Sequence, residues 1–311
     1  MKTPQLPPTV GLVLHFRHAE HTAACIYSLS REDVAHVMVV DNSEDCGASL
    51  QMLLERIDAY AIDVSIYEPG RNLGFAAGVN RGLAKIRARH GRACVLLINN
   101  DARLQRNAHA RLRRALSDKS GLAVPRIRYG KGRYIDSMFY QRASGLLLRH
   151  HWPGSYEHFS GCCMLLRPDL ALGPLFDEDF FFYGEDAELG WRLQRDRVSQ
   201  RKVPEAVVEH DASTGSRNGS LFYEYHMVRA HWLLARKLAS SRFEWAFNLS
   251  GRVIFLPLRA VLRSIRQRSM TPVQGGLMAT MDALRGECRP LTPPAGSQPN
   301  DGDEKTRLHS P

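Results

Sequence analysis

Four short strand-like runs, three apolar and one alternating, with helical patterns between them, constrain this chain more than any other feature. Val10 to Phe16, Val37 to Val40, Ile62 to Tyr67 and Cys94 to Ile98 read as strands. The stretches Thr22 to Ser30, Ser49 to Ala59 and Ala76 to Arg89 carry helical spacing between them. Strands alternating with helices of this length predict a parallel sheet covered by helices on both faces. Ligands of such sheets sit beyond the carboxyl ends of the strands. The polar residues that end each strand therefore deserve the first look: His15 and Arg17, Asp41-Asn42-Ser43, and Asn99-Asn100-Asp101.

Beyond residue 114 the pattern changes. Residues 121 to 170 carry glycines, aromatics and short β-like runs, which predict an antiparallel β region. Then comes Phe176-Asp177-Glu178-Asp179-Phe180-Phe181-Phe182-Tyr183-Gly184-Glu185-Asp186, an aromatic run leading into adjacent carboxylates. Leu189 and Leu193 continue at helical spacing, so Glu185 and Asp186 are expected at a helix N-terminus, where the macrodipole favours ionised carboxylates. Aromatic residues need a buried setting, which predicts an apolar pocket with charges at its lip. A strand near Arg201 to Val208 ends in Glu209-His210-Asp211, and a long helix is expected from Leu221.

The chain has 311 residues and a net charge of +10, which points to an anionic partner such as a phosphorylated ligand, nucleic acid or an acidic membrane surface. Six cysteines show neither CxxC nor Cys/His zinc spacing, as expected for a reduced, cytosolic compartment. The first residues lack the apolar core of a signal peptide. The late apolar run Val253 to Leu258 is interrupted by Pro257 and too short to span a bilayer, so a soluble or peripheral protein is expected. Residues 252 to 268 alternate five arginines with apolar positions and no acid. They suit an anionic headgroup layer, or equally a core helix with a solvated arginine face. The Pro- and Gly-rich tail, 290–311, reads as disordered. No internal repeat is visible.

Each motif has two readings. Asn99-Asn100-Asp101 suits a hard cation such as Mg²⁺ or Mn²⁺, or a plain turn. Asp41-Asn42-Ser43 suits a nucleoside contact or a helix cap. Arg71-Asn72-Leu73-Gly74-Phe75, opening a helix, offers backbone N–H groups to an anion or simply packs that helix on the sheet. It has neither dinucleotide-fingerprint nor P-loop spacing. His210 is a metal ligand only if the fold brings it to Asp101, and a structural histidine otherwise.

In order, Val39 to Ser43, Asn72-Leu73-Gly74-Phe75 with Gly78 and Asn80, Leu96 to Asp101, Ser160 to Arg167, Phe176 to Asp186 and His210 resemble the family 2 glycosyltransferases of GT-A fold. The likeness is to the bacterial rhamnosyltransferase-like branch and covers about residues 10 to 240. It implies an α/β, Rossmann-like nucleotide-diphospho-sugar transferase with a mostly parallel central sheet. The division expected is a GT-A domain over 1–240 (donor-binding half 10–115, acceptor and catalytic half 116–215) and a basic amphipathic helical extension over 241–289. The resemblance implies that Asp41, Asn42, Asn72, Gly74 and Asn99 serve the donor, with Arg71 as added positive charge. It implies Asp101 and His210 as ligands of Mg²⁺ or Mn²⁺, and Asp186 as general base with Glu185 as supporting carboxylate.

The sequence departs from the family pattern at three places: Asn100 stands where proline is usual, the first strand ends His15-Phe16-Arg17-His18, and Arg229-Ala230 replaces an Arg-Asn pair. The implied partners are a nucleotide-diphospho-sugar, a saccharide or lipid-linked saccharide acceptor and an anionic membrane surface. The implied setting is cell-surface polysaccharide synthesis, of the O-antigen or exopolysaccharide kind, with rhamnose one candidate sugar and the inner face of the cytoplasmic membrane the location. Two rival readings are a sugar-nucleotide nucleotidyltransferase and an inactive, membrane-associated relative acting as a scaffold. The first expects a glycine-rich basic loop after the first strand, which Arg17-His18-Ala19-Glu20 is not. A nucleic-acid-binding protein would have no use for the set of carboxylates.

Overall fold

The computed structural model describes residues 6–116, 120–130, 132–211, 219–289 and 291. The first half alternates β1 (Thr9–His15), α1 (Ala19–Ser30), β2 (His36–Asp41), α2 (Ala48–Ile57), β3 (Val64–Tyr67), α3 (Gly74–His90) and β4 (Cys94–Ile98). After β5 (Ala102–Leu104) and α4 (Ala108–Ala115) come β6 (Ser120–Tyr129), β7 (Arg133–Ile135), β8 (Met138–Gln141), β9 (Leu147–Leu148), β10 (Ser155–His158) and β11 (Cys163–Leu166). The chain continues through α5 (Glu185–Arg195), β12 (Ser199–His210), α6 (Leu221–Lys237), α7 (Arg242–Gln267) and α8 (Thr271–Arg285).

A nine-stranded sheet runs β3-β2-β1-β4-β11-β6-β12-β5, with β7 on β6. Strands β3, β2, β1, β4, β6 and β12 point one way, while β11, β5 and β7 oppose them. The runs read as buried strands are buried on both faces, as parallel strands must be. In β2, Val37 and Val39 enter the core under α1, α2 and α4, whereas Met38 and Val40 enter the one under α3 and α5. Leu96 and Ile98 of β4 divide from Val95 and Leu97 in the same way.

Residues 121 to 170 are not wholly antiparallel as expected. β6 pairs antiparallel with β11 but parallel with β12, far along the chain. Local alternation marks a strand and says nothing of a partner's direction. A separate three-stranded sheet, β10-β8-β9, is antiparallel throughout. It packs on α5 and α6 through Tyr140, Tyr156, Ala187 and Leu234.

The basic stretch belongs to a helix that begins ten residues before Arg252 and passes through Pro257. Its start is capped: Ser241 Oγ accepts the Glu244 N–H at 3.1 Å, and Glu244 Oε2 accepts the Ser240 N–H at 2.8 Å. The tail assigned to 290–311 lies, apart from Leu291, outside the described residues.

Candidate active site

The aromatic run is held by the motif that precedes it in sequence. Asn80 of α3 donates to the Phe176 carbonyl at 2.8 Å and to Glu178 at 3.0 Å, and its own carbonyl accepts the Leu175 and Phe176 N–H groups. The Phe75 N–H donates to the Phe181 carbonyl at 2.8 Å. Phe176 and Phe180 are buried, and Phe181, Phe182 and Tyr183 are partly so.

Tyr183 (φ 64°) and Gly184 (φ 88°) then turn the chain through consecutive left-handed residues into α5. A side chain on Gly184 would also strike the Ala230 Cβ at 2.8 Å. Further along α5, a Cβ at Gly190 would meet the His158 Cβ at 2.6 Å, so the helix lies directly on the end of β10. Leu189 and Leu193 enter the core. These contacts deliver Glu185 and Asp186 to the first turn of α5.

On the opposite wall, β12 pairs antiparallel with β5, setting His210 across from Ala102. The Asp211 N–H donates to the Asp101 carbonyl at 2.9 Å, and His210 Nε2 lies 3.1 Å from Asp101 Oδ1. Tyr129 stands edge-on to the His210 ring at 5.1 Å. Asn99 is fixed by its N–H to the Cys162 carbonyl at 2.8 Å. The Asn100 amide turns away to bond Thr22 of α1 at 3.1 Å, so the residue in the place of the usual proline serves the scaffold.

One cleft of about 470 Å³ is lined by Asn99, Asp101, His210, Glu185 and Asp186 together. Glu185 is the more buried of its two carboxylates on α5. Burial, and next the repulsion of Asp186, push the Glu185 carboxyl up to about 8. The expectation that both acids ionise at the helix N-terminus is therefore corrected for Glu185: desolvation of a buried carboxylate outweighs a helix dipole. His158, fully buried beside Asp186, is kept below its ordinary value by burial.

Other residues of the sequence motifs lie away from the cleft lining. The Asn42 amide donates to the Gly74 carbonyl at 3.0 Å, and Asn72 Oδ1 accepts the Gly74 N–H at 2.9 Å. Gly74 (φ 76°) presses on Phe181, with 2.4 Å from a would-be Cβ to its carbonyl oxygen. Their polar groups thus shape the loop carrying the aromatic run. Asp41 Oδ1 accepts the Ser43 N–H at 3.0 Å, and Arg71 is exposed.

Several lining residues escaped the sequence reading: Tyr129, His158, Tyr223 and His231. The alternation in Ser155–His158 signals His158 as inward-facing, but nothing local marks the others. His231 Nδ1 meets the Tyr140 hydroxyl at 2.8 Å deep in the cleft wall.

Asp101 and His210 present a carboxylate oxygen and an imidazole nitrogen side by side, and among the described residues His210 Nδ1 has no partner. Such a pair fits a divalent cation such as Mg²⁺ or Mn²⁺. Among the described residues no group of three or more His, Cys, Asp and Glu side chains forms a cage. A cation here would therefore complete its shell with phosphate oxygens and water, as these ions commonly do.

No protein-family model matches the chain. It is 28% identical over 296 residues to the N-acetylglucosaminyl-diphospho-decaprenol L-rhamnosyltransferase of Mycobacterium tuberculosis, covering 83% of this chain and 94% of that protein. In three dimensions it resembles GalNAc-T7, solved with UDP, GalNAc and Mn²⁺ (TM-score 0.57, 15% identity, 85% of this chain and 58% of that one). It also resembles a mannosyltransferase from Pyrobaculum calidifontis in complex with GDP-Man and Mn²⁺ (TM-score 0.52, 13% identity, 90% and 88% covered). Residues 1–349 of TarS from S. aureus match with a TM-score of 0.51 at 14% identity, over 90% of this chain and 80% of that one. The fold is GT-A.

Proposed function

We propose that this chain, a family 2 glycosyltransferase of GT-A fold, transfers a sugar with inversion from a nucleotide-diphospho-sugar to a lipid-linked saccharide at a membrane surface. The observation that carries the reading is the single cleft in which Asp101 and His210 face the first turn of α5. The mycobacterial relative favours rhamnose as the sugar and a polyprenyl-diphosphate-linked saccharide as the acceptor.

Asp186 is the base. Its Oδ1 accepts the Ala187 N–H at 2.7 Å, which orients the carboxylate and leaves the second oxygen for an acceptor hydroxyl. As the hydroxyl oxygen bonds to the anomeric carbon, its proton passes to Asp186, and the bond to the diphosphate breaks with the electron pair leaving on oxygen. General base catalysis of this kind contributes on the order of 10² to 10⁴-fold. Glu185, whose carboxyl is pushed up to about 8 by burial, adds little negative charge beside the base at neutral pH.

Asp101 and His210 would hold the cation, which when bound supplies positive charge to the leaving diphosphate. The nucleoside end is assigned to the strand ends near Asp41 and Asn99, with Arg71 near the phosphates. Asn42, Asn72 and Gly74 act there by setting the loop shape. The setting is bacterial cell-surface polysaccharide synthesis, at the cytoplasmic face of the membrane.

The test is a screen of nucleotide sugars for Mg²⁺- or Mn²⁺-dependent release of nucleoside diphosphate. Asp186→Asn should abolish transfer while donor binding persists. Wild-type turnover in that variant would overturn the base assignment, and no donor turned over by the native chain would overturn the activity.

A further inference from the structure

Helix α7 is turned inside out relative to a helix on a soluble surface. Its arginines Arg252, Arg259 and Arg263, seven and four residues apart, share the inward face. Arg252 is 0% exposed and donates to the carbonyls of His231 (2.6 Å), Arg142 (2.6 Å) and Asn248 (2.8 Å) and to the Tyr140 hydroxyl (3.2 Å). Arg263 forks onto Glu224, itself 0% exposed, at 2.6 and 2.9 Å. Those guanidinium groups are spent inside the protein. The arginine face expected to be solvated turns inward at Arg252, Arg259 and Arg263, while Arg266 and Arg268 stay exposed. Glu224, Tyr140 and backbone carbonyls supply anionic and polar partners within, so the cations turn inward.

The outward face is apolar instead. Phe243, Phe247, Ile254, Leu258, Val261 and Ile265 recur at four, seven, four, three and four, one helical stripe, with Phe243 84%, Ile254 65% and Ile265 71% exposed. Exposed arginines stand at its two ends, Arg242 before it and Arg266 and Arg268 after it. Glu244 is the sole acid between residues 242 and 270, and it is paired with Arg142. At 26 residues the helix is about 39 Å long. No helix among the described residues is long and apolar enough to cross a membrane.

We propose that α7 lies in the plane of an anionic lipid bilayer, its apolar stripe inserted among the acyl chains and its terminal arginines on the headgroups. A second copy of this chain is the poorer occupant, because an isologous pairing would set one arginine-rimmed stripe against another with no acid to meet them. Phosphate headgroups complement that rim. The proposal rests on the membrane-side reading above for its setting but on α7 for its substance. Because Arg252 grips Tyr140 and His231 of the cleft wall, the inserted helix and the acceptor side of the cleft form one body.

The experiment is co-sedimentation of the full chain with vesicles of phosphatidylethanolamine and phosphatidylglycerol, with no donor or acceptor present. The native protein should bind and stay bound in raised salt. Ile254→Ser with Leu258→Ser and Ile265→Ser should weaken partition by about tenfold or more, since each buried side chain adds to interfacial affinity. The variant should keep its helical circular dichroism and its nucleotide-sugar turnover with a soluble acceptor. Equal binding by the variant, binding lost in salt, or no vesicle binding overturns the proposal. So does a native dimer that the variant converts to monomer. Vesicle binding without transferase activity would sink only the proposed function, and transfer without vesicle binding only this inference.

Discussion

His210 Nε2 stands 3.1 Å from Asp101 Oδ1, although 109 residues separate them, because β12 pairs with β5 immediately beyond Asp101. The backbone ladder places the two side chains before any ion arrives. Isothermal titration of nucleoside diphosphate with MnCl₂ should therefore respond to either partner. Asp101→Ala or His210→Ala is expected to weaken cation-dependent binding by about tenfold or more, with cation-free binding little changed. Unaltered Mn²⁺ dependence in both variants would remove the metal role.

Glu185 makes stability depend on pH. Its folded carboxyl sits near 8 against an ordinary 4.5, so the native state retains a proton that the unfolded chain releases between those values. Stability from this group is complete below about 4.5 and declines as pH rises towards about 8. Glu185→Gln, which cannot ionise, should flatten that decline. Urea unfolding at mildly acidic and mildly alkaline pH measures it, and parallel losses in both proteins would show that the buried acid is not its source.

Packing of α5 on β10 depends on Gly190, where a Cβ would lie 2.6 Å from the His158 Cβ. Gly190→Ala should lift the helix and move Asp186 relative to Asp101. A displacement on the order of 1 Å can lower turnover by about 10²-fold. The expected signature is a fall in kcat with far-UV circular dichroism preserved.

Glu224 anchors α7 to α6 by meeting Arg263 at 2.6 Å and Arg259 at 3.6 Å from full burial. Glu224→Gln should remove the buried negative charge that Arg263 and Arg259 meet. Breaking such a buried pair costs on the order of 3–5 kcal/mol. Chemical denaturation reads that loss directly. A surface pair such as Arg56 with Glu20 should give well under about 1 kcal/mol when broken the same way.

Much of the scaffold was legible locally. The runs at 37–40 and 94–98 are apolar because both faces of those strands are covered, and that need is written residue by residue. Leu189 and Leu193 likewise announced a helix with Glu185 and Asp186 at its start. By contrast, nothing local showed that Asn42 and Asn72 both bond Gly74, or that Gly74 presses on Phe181. Asparagine and glycine at a loop suit a ligand or the fold equally, so their structural partners show only in three dimensions.

By itself the order of residues determined the alternating strands and helices, the polar strand ends and the carboxylates that open α5, because each depends on near neighbours and on periodicity. Tertiary structure alone decided that Asp101 meets His210, that Glu185 holds its proton and that Arg252, Arg259 and Arg263 of α7 turn inward. Those outcomes depend on what stands across the gap and on how much water is excluded. Neither the partner nor the dielectric is encoded in any short stretch of chain.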